Sequence, residues 1–136
     1  MRGILFLCTG NSCRSQMAEG FAKKMLSKDS KIFSAGIEPK RIHPKAVKVM
    51  QEVGIDISKQ ESKNISEIPL DKINIVITLC GDAAERCPVF PGKVERIHWE
   101  IEDPAKAHGS DKEIAMVFRK VRDKIKSYII NYLLVK

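Results

Sequence analysis

Gly3-Ile4-Leu5-Phe6-Leu7-Cys8-Thr9-Gly10-Asn11-Ser12-Cys13-Arg14-Ser15 runs from an apolar segment through a short polar loop into a helix start, with a cysteine and an arginine separated by five residues. Residues 3–7 read as a short, fully buried strand. Residues 15–26 read as a helix, with Met17, Ala18, Phe21, Ala22, Met25 and Leu26 at helical spacing. A loop of this length between a strand and a helix can wrap once around an anion. Its backbone N–H groups then point inward, and the helix turns its positive end to the same spot. Gly10 and Asn11 are expected to supply the positive φ of the bend, and Arg14 a planar fork of donors. Thr9, Gly10, Asn11, Ser12, Cys13, Arg14 and Ser15 are thus the expected oxyanion-binding residues, with Cys8 beneath the anion, where a positive field favours a nucleophilic thiolate. A buried cysteine and a surface arginine at a chance spacing would explain the bare pattern. They would not explain the strand before it, the glycine within it and the helix after it.

Outward from this unit, residues 31–35 form a second expected strand ending at Gly36. Pro44 opens a helix with the stripe Ala46, Val47, Val49, Met50 and Val53, stopped by Gly54. Residues 73–79 read as a strand whose run Ile73, Ile75, Val76, Ile77 and Leu79 is apolar on both faces, as a central parallel strand requires, and residues 94–98 make a fourth strand. Ser110 can cap a long helix over residues 111–134 that buries Ile114, Val117, Phe118, Val121, Ile125, Tyr128, Ile129 and Tyr132. Alternating strands and helices predict one α/β domain over residues 1–136, with a four-stranded parallel sheet flanked by helices. Ligands in such folds gather beyond the carboxyl ends of the strands, and Cys8, Cys80 and Asp103 all fall at or just after such an end.

A chain of 136 residues suits a single domain with a real core. No segment approaches the ~20 apolar residues of a membrane span, and the N-terminus runs into the loop without a cleavage signal, so a cytoplasmic, non-membrane protein is expected. It is also expected to act as a monomer. The net charge of +7 suits an anionic substrate. Nucleic acid is not expected, because the lysines are scattered and no basic–aromatic interleaving occurs.

Four cysteines in a cytosolic chain argue for reactive thiols or metal before structural disulfides. Cys80 ends the central strand and Cys87 follows six intervening residues later. Across an intact helix their Cα atoms would lie roughly 10 Å apart, beyond the ~7 Å limit for a disulfide, so a bond between them requires the segment to unwind. Gly81 and Pro88 bracket that segment. Alternatively Cys80 is a small buried hydrophobe and Cys87 an incidental loop thiol. Cys13 reads as packing beneath the loop. Ser12 and Ser15 can donate hydroxyls toward Cys8, although Ser15 also suits simple helix initiation. Asp103, in the acidic run 100–103, can give a proton to a departing oxygen or be solvated surface. No metal or cofactor is expected, since the cysteine spacings fit no common zinc pattern and His43, His98 and His108 are isolated.

Taken together, residues 8–20, Ser34-Ala35-Gly36-Ile37, Ile55-Asp56-Ile57-Ser58, Thr78-Leu79-Cys80-Gly81-Asp82-Ala83, Cys87-Pro88, His98-Trp99 and Asp103-Pro104 resemble, in order, the thioredoxin-coupled arsenate reductases. That family shares its fold with the low-molecular-weight protein tyrosine phosphatases. The resemblance implies a relay of Cys8, Cys80 and Cys87. Cys8 attacks arsenate held by the loop and Arg14, with Asp103 aiding the departing oxygen. Cys80 then displaces arsenite from Cys8, and Cys87 moves the disulfide to the surface for thioredoxin, a thioredoxin-like protein or glutaredoxin to reduce. Phosphate and sulfate would compete for the loop. Phosphatases of this fold usually carry a proline after the Arg-Ser and a tyrosine pair after the Asp-Pro. Gln16 and residues 105–108, Ala-Lys-Ala-His, stand there instead. A low-molecular-weight phosphatase and a non-enzymatic oxyanion-binding thiol switch are the alternatives.

Members of the family often bind potassium near the loop through residues matching Asn11, Glu19 and Ser34 and an aspartate later in the chain. Here Lys63 falls where that aspartate is expected. Its ammonium is expected to take the cation's place and pair with Glu19, steadying Asn11; the alternative is a solvated surface lysine.

Overall fold

The computed structural model describes residues 2–134. Four strands, β1 (Gly3–Cys8), β2 (Lys31–Gly36), β3 (Ile75–Thr78) and β4 (Glu95–His98), form one sheet in the order β2-β1-β3-β4, with every neighbouring pair parallel. Four helices lie between or after them: α1 (Arg14–Met25), α2 (Pro44–Gln51), α3 (Gly81–Glu85) and α4 (Asp111–Ile129). Every residue of β1 and β3 is buried. Because successive side chains on a strand point to opposite faces, both faces of the sheet centre are covered, which explains why these two runs are apolar but for Thr78 at the end of β3.

The central strand is shorter than expected. Residues 70–72 make a 3₁₀ turn, and Asn74 meets Gly3 through two bonds: its side-chain Oδ1 accepts the Gly3 N–H at 2.7 Å and its own N–H reaches the Gly3 carbonyl at 2.8 Å. β4 is the sheet edge and is mostly exposed. Helix α4 carries the predicted cap, a reciprocal box between Ser110 and Glu113. The far end of its stripe departs from expectation. Residues Ile130–Leu134 widen into a π turn, which advances the register by about one residue, so Leu133 is buried and Tyr132 is half exposed. Arg122 also lies in the buried stripe. Its guanidinium donates to the Val49 carbonyl at 2.9 Å and to Glu52 at 2.8 Å, clamping α4 to α2. Gly20 lets α1 approach closely: a Cβ there would come within 2.7 Å of Ile57. No helix among the described residues is long and apolar enough to cross a membrane.

Candidate active site

Strand β1 delivers Cys8 to the carboxyl edge of the sheet, and α1 begins at Arg14, so the loop between them closes over a fixed span. Cys8 is almost wholly buried. Its Sγ accepts from the Asn11 backbone N–H at 3.3 Å and lies 2.8 Å from Ser15 Oγ. The Asn11 side-chain amide donates to Ser15 Oγ at 2.8 Å and to Ser34 Oγ at 3.0 Å. Because Asn11 uses a lone pair of Ser15 Oγ and not its proton, the hydroxyl keeps its proton to offer to the sulfur. Ser15 is therefore the hydroxyl that meets Cys8. Ser12, offered for the same task, instead lies 3.7 Å from the Cys13 sulfur.

The bend is also made differently from expectation. Asn11 alone takes positive φ within the loop, at 48°, while Gly10 does not. Asn11 tolerates that conformation because its side chain is fully engaged: Oδ1 accepts from Gln16 Nε2 at 3.0 Å and from the Lys63 N–H at 2.8 Å. Cys13 is buried at the N-cap position of α1, and burial pushes its thiol up to about 12, which fits packing rather than chemistry.

The expected Lys63–Glu19 pair is not formed. Lys63 contributes its backbone N–H to Asn11 and turns its ammonium to the Glu61 carbonyl at 2.8 Å. Glu19, buried on α1, accepts from Ser34 Oγ and pairs with Lys23 one helical turn on. An i,i+4 partner on the same helix is already in reach and needs no loop to be ordered around it. A continuous path of oriented bonds thus runs from Lys23 through Glu19, Ser34, Asn11 and Ser15 to the Cys8 sulfur.

Arg14 is 6% exposed and is aimed by the Ile101 carbonyl at 3.0 Å, with Asp103 Oδ2 3.7 Å from its other terminal nitrogen. Asp103 Oδ1 accepts the Ala105 N–H at 3.0 Å and so starts a 3₁₀ turn over Pro104–Lys106, which fixes its position. Arg14 and Asp103 line a cleft of about 540 Å³ together with Cys8, Thr9, Gly10 and Cys80. Thr9 joins two parts of it, with Oγ1 3.2 Å from Cys80 Sγ and 3.2 Å from Asp82. Arg86 forks onto Asp82 at 2.9 and 2.8 Å and holds its carboxyl below the usual range, chiefly by that hydrogen bond.

Cys80 is buried at the N-cap of α3 and accepts the Ala83 N–H at 3.4 Å. Cys87 lies beyond α3, half buried, outside the cleft and in a separate pocket with Thr78, Arg96 and His98. All four cysteines are free thiols. Among the described residues, no group of three or more His, Cys, Asp or Glu side chains is arranged to hold a metal. The role of Gln16 goes beyond its noted departure from proline. Wholly buried, Gln16 donates to the Asn11 and Glu61 carbonyls at 3.0 Å each, a role that its place in the sequence, where the phosphatases carry proline, did not indicate. Lys40 and Lys106 also reach the cleft; only the net positive charge hinted at Lys40, while Lys106 falls in the segment where the phosphatases carry their tyrosine pair.

Residues 3–135 match the low molecular weight phosphotyrosine protein phosphatase family. An arsenate reductase of Halalkalibacterium halodurans is 57% identical over 122 residues, covering 90% of this chain and 88% of that protein. An arsenate reductase solved in its oxidized state superposes with a TM-score of 0.86 at 37% identity, over 99% of this chain and 98% of that one. A thioredoxin-dependent arsenate reductase of Corynebacterium glutamicum superposes with a TM-score of 0.72 at 28% identity, over 100% of this chain and 64% of that one.

Proposed function

This chain belongs to the low molecular weight phosphotyrosine protein phosphatase family, within the branch of its arsenate reductase relatives, and we propose that it reduces arsenate to arsenite through three cysteines and is recycled by thioredoxin. One observation carries the reading: a second thiol, Cys80, faces the same cleft as the loop nucleophile, with Thr9 bridging toward it. Ester hydrolysis needs Cys8, Arg14 and Asp103 alone, whereas a resolving thiol has work only in a two-electron reduction.

Arsenate sits in the loop with its oxygens on the backbone N–H groups and Arg14. The Cys8 thiolate, held by Asn11 N–H and Ser15, attacks arsenic, and Asp103 protonates the oxygen that leaves as water. Cys80 then attacks Cys8 Sγ. A Cys8–Cys80 disulfide forms, and the electron pair of the broken S–As bond stays on arsenic, which departs as arsenite. Cys87 next attacks Cys80 Sγ, and Cys8 leaves as a thiolate. Because α3 lies between these two cysteines, it has to open for their sulfurs to meet, which brings the new disulfide outward for thioredoxin. A cytoplasmic setting keeps the resting thiols reduced.

The oxyanion loop does not distinguish arsenate from phosphate, so slow cleavage of small aryl phosphates is expected beside the reductase activity, and phosphate and sulfate act as competitors. The deciding experiment couples arsenate turnover to thioredoxin, thioredoxin reductase and NADPH, run beside para-nitrophenyl phosphate hydrolysis. Many arsenite molecules per enzyme are expected. A single turnover that stops would favour a thiol switch, and phosphate-ester cleavage without arsenate turnover would favour a phosphatase.

A further inference from the structure

Cys87 is not merely a thiol in a loop. Arg96, on the edge strand β4, donates from Nη1 to Cys87 Sγ at 3.2 Å and from Nη2 to the Pro88 carbonyl at 3.2 Å, and its guanidinium lies over the Phe90 ring, 5.4 Å from the centroid. Phe90 is itself buried, so three contacts from one side chain seat residues 87–90 against the sheet edge. His98 lines the same pocket, but its ring nitrogens are taken by Thr78 Oγ1 at 2.7 Å and Glu100 at 2.8 Å. The cation that meets the sulfur is therefore Arg96. A guanidinium N–H binds a thiolate more strongly than a thiol, because the acceptor then carries the charge.

We propose, on the relay reading above, that Arg96 is the positioning residue for the resolving thiol: it holds Cys87 on the sheet edge, outside the cleft, and favours the thiolate that attacks Cys80. The step is balanced without a further reagent. The Cys87 thiolate bonds to Cys80 Sγ, the Cys8–Cys80 bond breaks, and the electron pair leaves on Cys8, where Asn11 N–H and Ser15 receive it. Arg96 takes no part in arsenate binding, since it lies outside the cleft that holds the loop. The two neighbouring thiols thus have different partners, a neutral hydroxyl for Cys80 and a fixed cation for Cys87.

The test compares wild type, Arg96→Met and Arg96→Lys. In the reduced enzymes, iodoacetamide labelling at neutral pH is followed at Cys87 by mass spectrometry. Arg96→Met is expected to label at Cys87 about tenfold more slowly, the size of one hydrogen bond to a charged group, and Arg96→Lys to recover part of that rate. Thioredoxin-coupled turnover should fall in parallel. Para-nitrophenyl phosphate hydrolysis should not change, nor should the single burst of arsenite in a Cys87→Ser background. Unchanged or faster labelling in Arg96→Met would overturn the proposal, as would an equal loss of the arsenite burst, which would mark a general structural role. If wild type forms no Cys80–Cys87 disulfide during turnover, the relay reading fails instead, and the labelling result still stands or falls by itself.

Discussion

Cys8 receives a backbone N–H and a hydroxyl, while Cys13, five residues on in the same loop, is buried and held protonated. Two cysteines in one motif thus have different surroundings: Cys8 lies at the cleft with a backbone N–H and the Ser15 hydroxyl on its sulfur, whereas Cys13 packs at the helix N-cap beside Ser12. Cys8→Ser should abolish both arsenate reduction and aryl phosphate cleavage, since a serine hydroxyl is far less acidic and lacks the sulfur that becomes oxidised. Retained turnover in that variant would refute the scheme. Asp103→Asn should lower kcat by about 10²-fold or more with little change in arsenate affinity, because a general acid acts in the transition state. Parallel steady-state and binding measurements check it, and a pure rise in KM would assign Asp103 to steering Arg14 instead. The Cys-x5-Arg spacing was legible because it is local. The serine that meets the sulfur was not settled by sequence, since Ser12 and Ser15 flank the arginine side of the loop alike and only the Asn11 amide, folded in by its positive φ, selects Ser15.

At the scale of elements, the decisive object is α3. It is short, spans Gly81–Glu85, and separates a buried thiol from a half-buried one. A helix of this length has little stability of its own, so opening it costs the protein little. Cys80→Ser and Cys87→Ser should each stop thioredoxin-coupled turnover yet leave phosphate-ester cleavage largely intact, because Cys8 and Arg14 bracket the loop between β1 and α1 and Asp103 caps the turn over Pro104–Lys106, all outside the segment that carries the two thiols. Loss of both activities in a folded variant would make these cysteines structural. The strands and the long helix were readable from periodicity, as burial of β1 and β3 shows. Element ends were less so. Asn74 and the π turn at Ile130–Leu134 are set by tertiary hydrogen bonding and packing that no local pattern encodes. Arg122 escaped for a related reason, since a charged residue in an apolar stripe is legible only once Val49 and Glu52 are seen beside it.

Across the whole molecule, α1 and β2 are tied to the loop through Glu19 and Ser34, so hydrogen bonds link the buried carboxylate of Glu19 to the residues that hold the nucleophile. The resemblance pointed to a cation at this place and the sequence register to Lys63. The cation is Lys23, because a helical neighbour lies within reach of Glu19 whereas the Lys63 backbone is committed to Asn11 and Gly36. Lys23 is 52% exposed and Glu19 5% exposed in this pair, so the exchange is unequal: losing the lysine strands a buried charge, while the lysine itself stays largely hydrated. It follows that potassium added against sodium at constant ionic strength should change neither the melting temperature nor the arsenate kinetics of the wild-type protein. Lys23→Gln should melt lower, by roughly 3–8 °C for a loss of ~1–2 kcal/mol, a figure kept small because the pair is half open to water. In that variant potassium should recover part of the loss where sodium does not, since the Glu19 carboxylate and the Ser34 Oγ remain as hard ligands. A potassium-specific rise in the wild-type melting temperature would show that Lys23 does not satisfy the site.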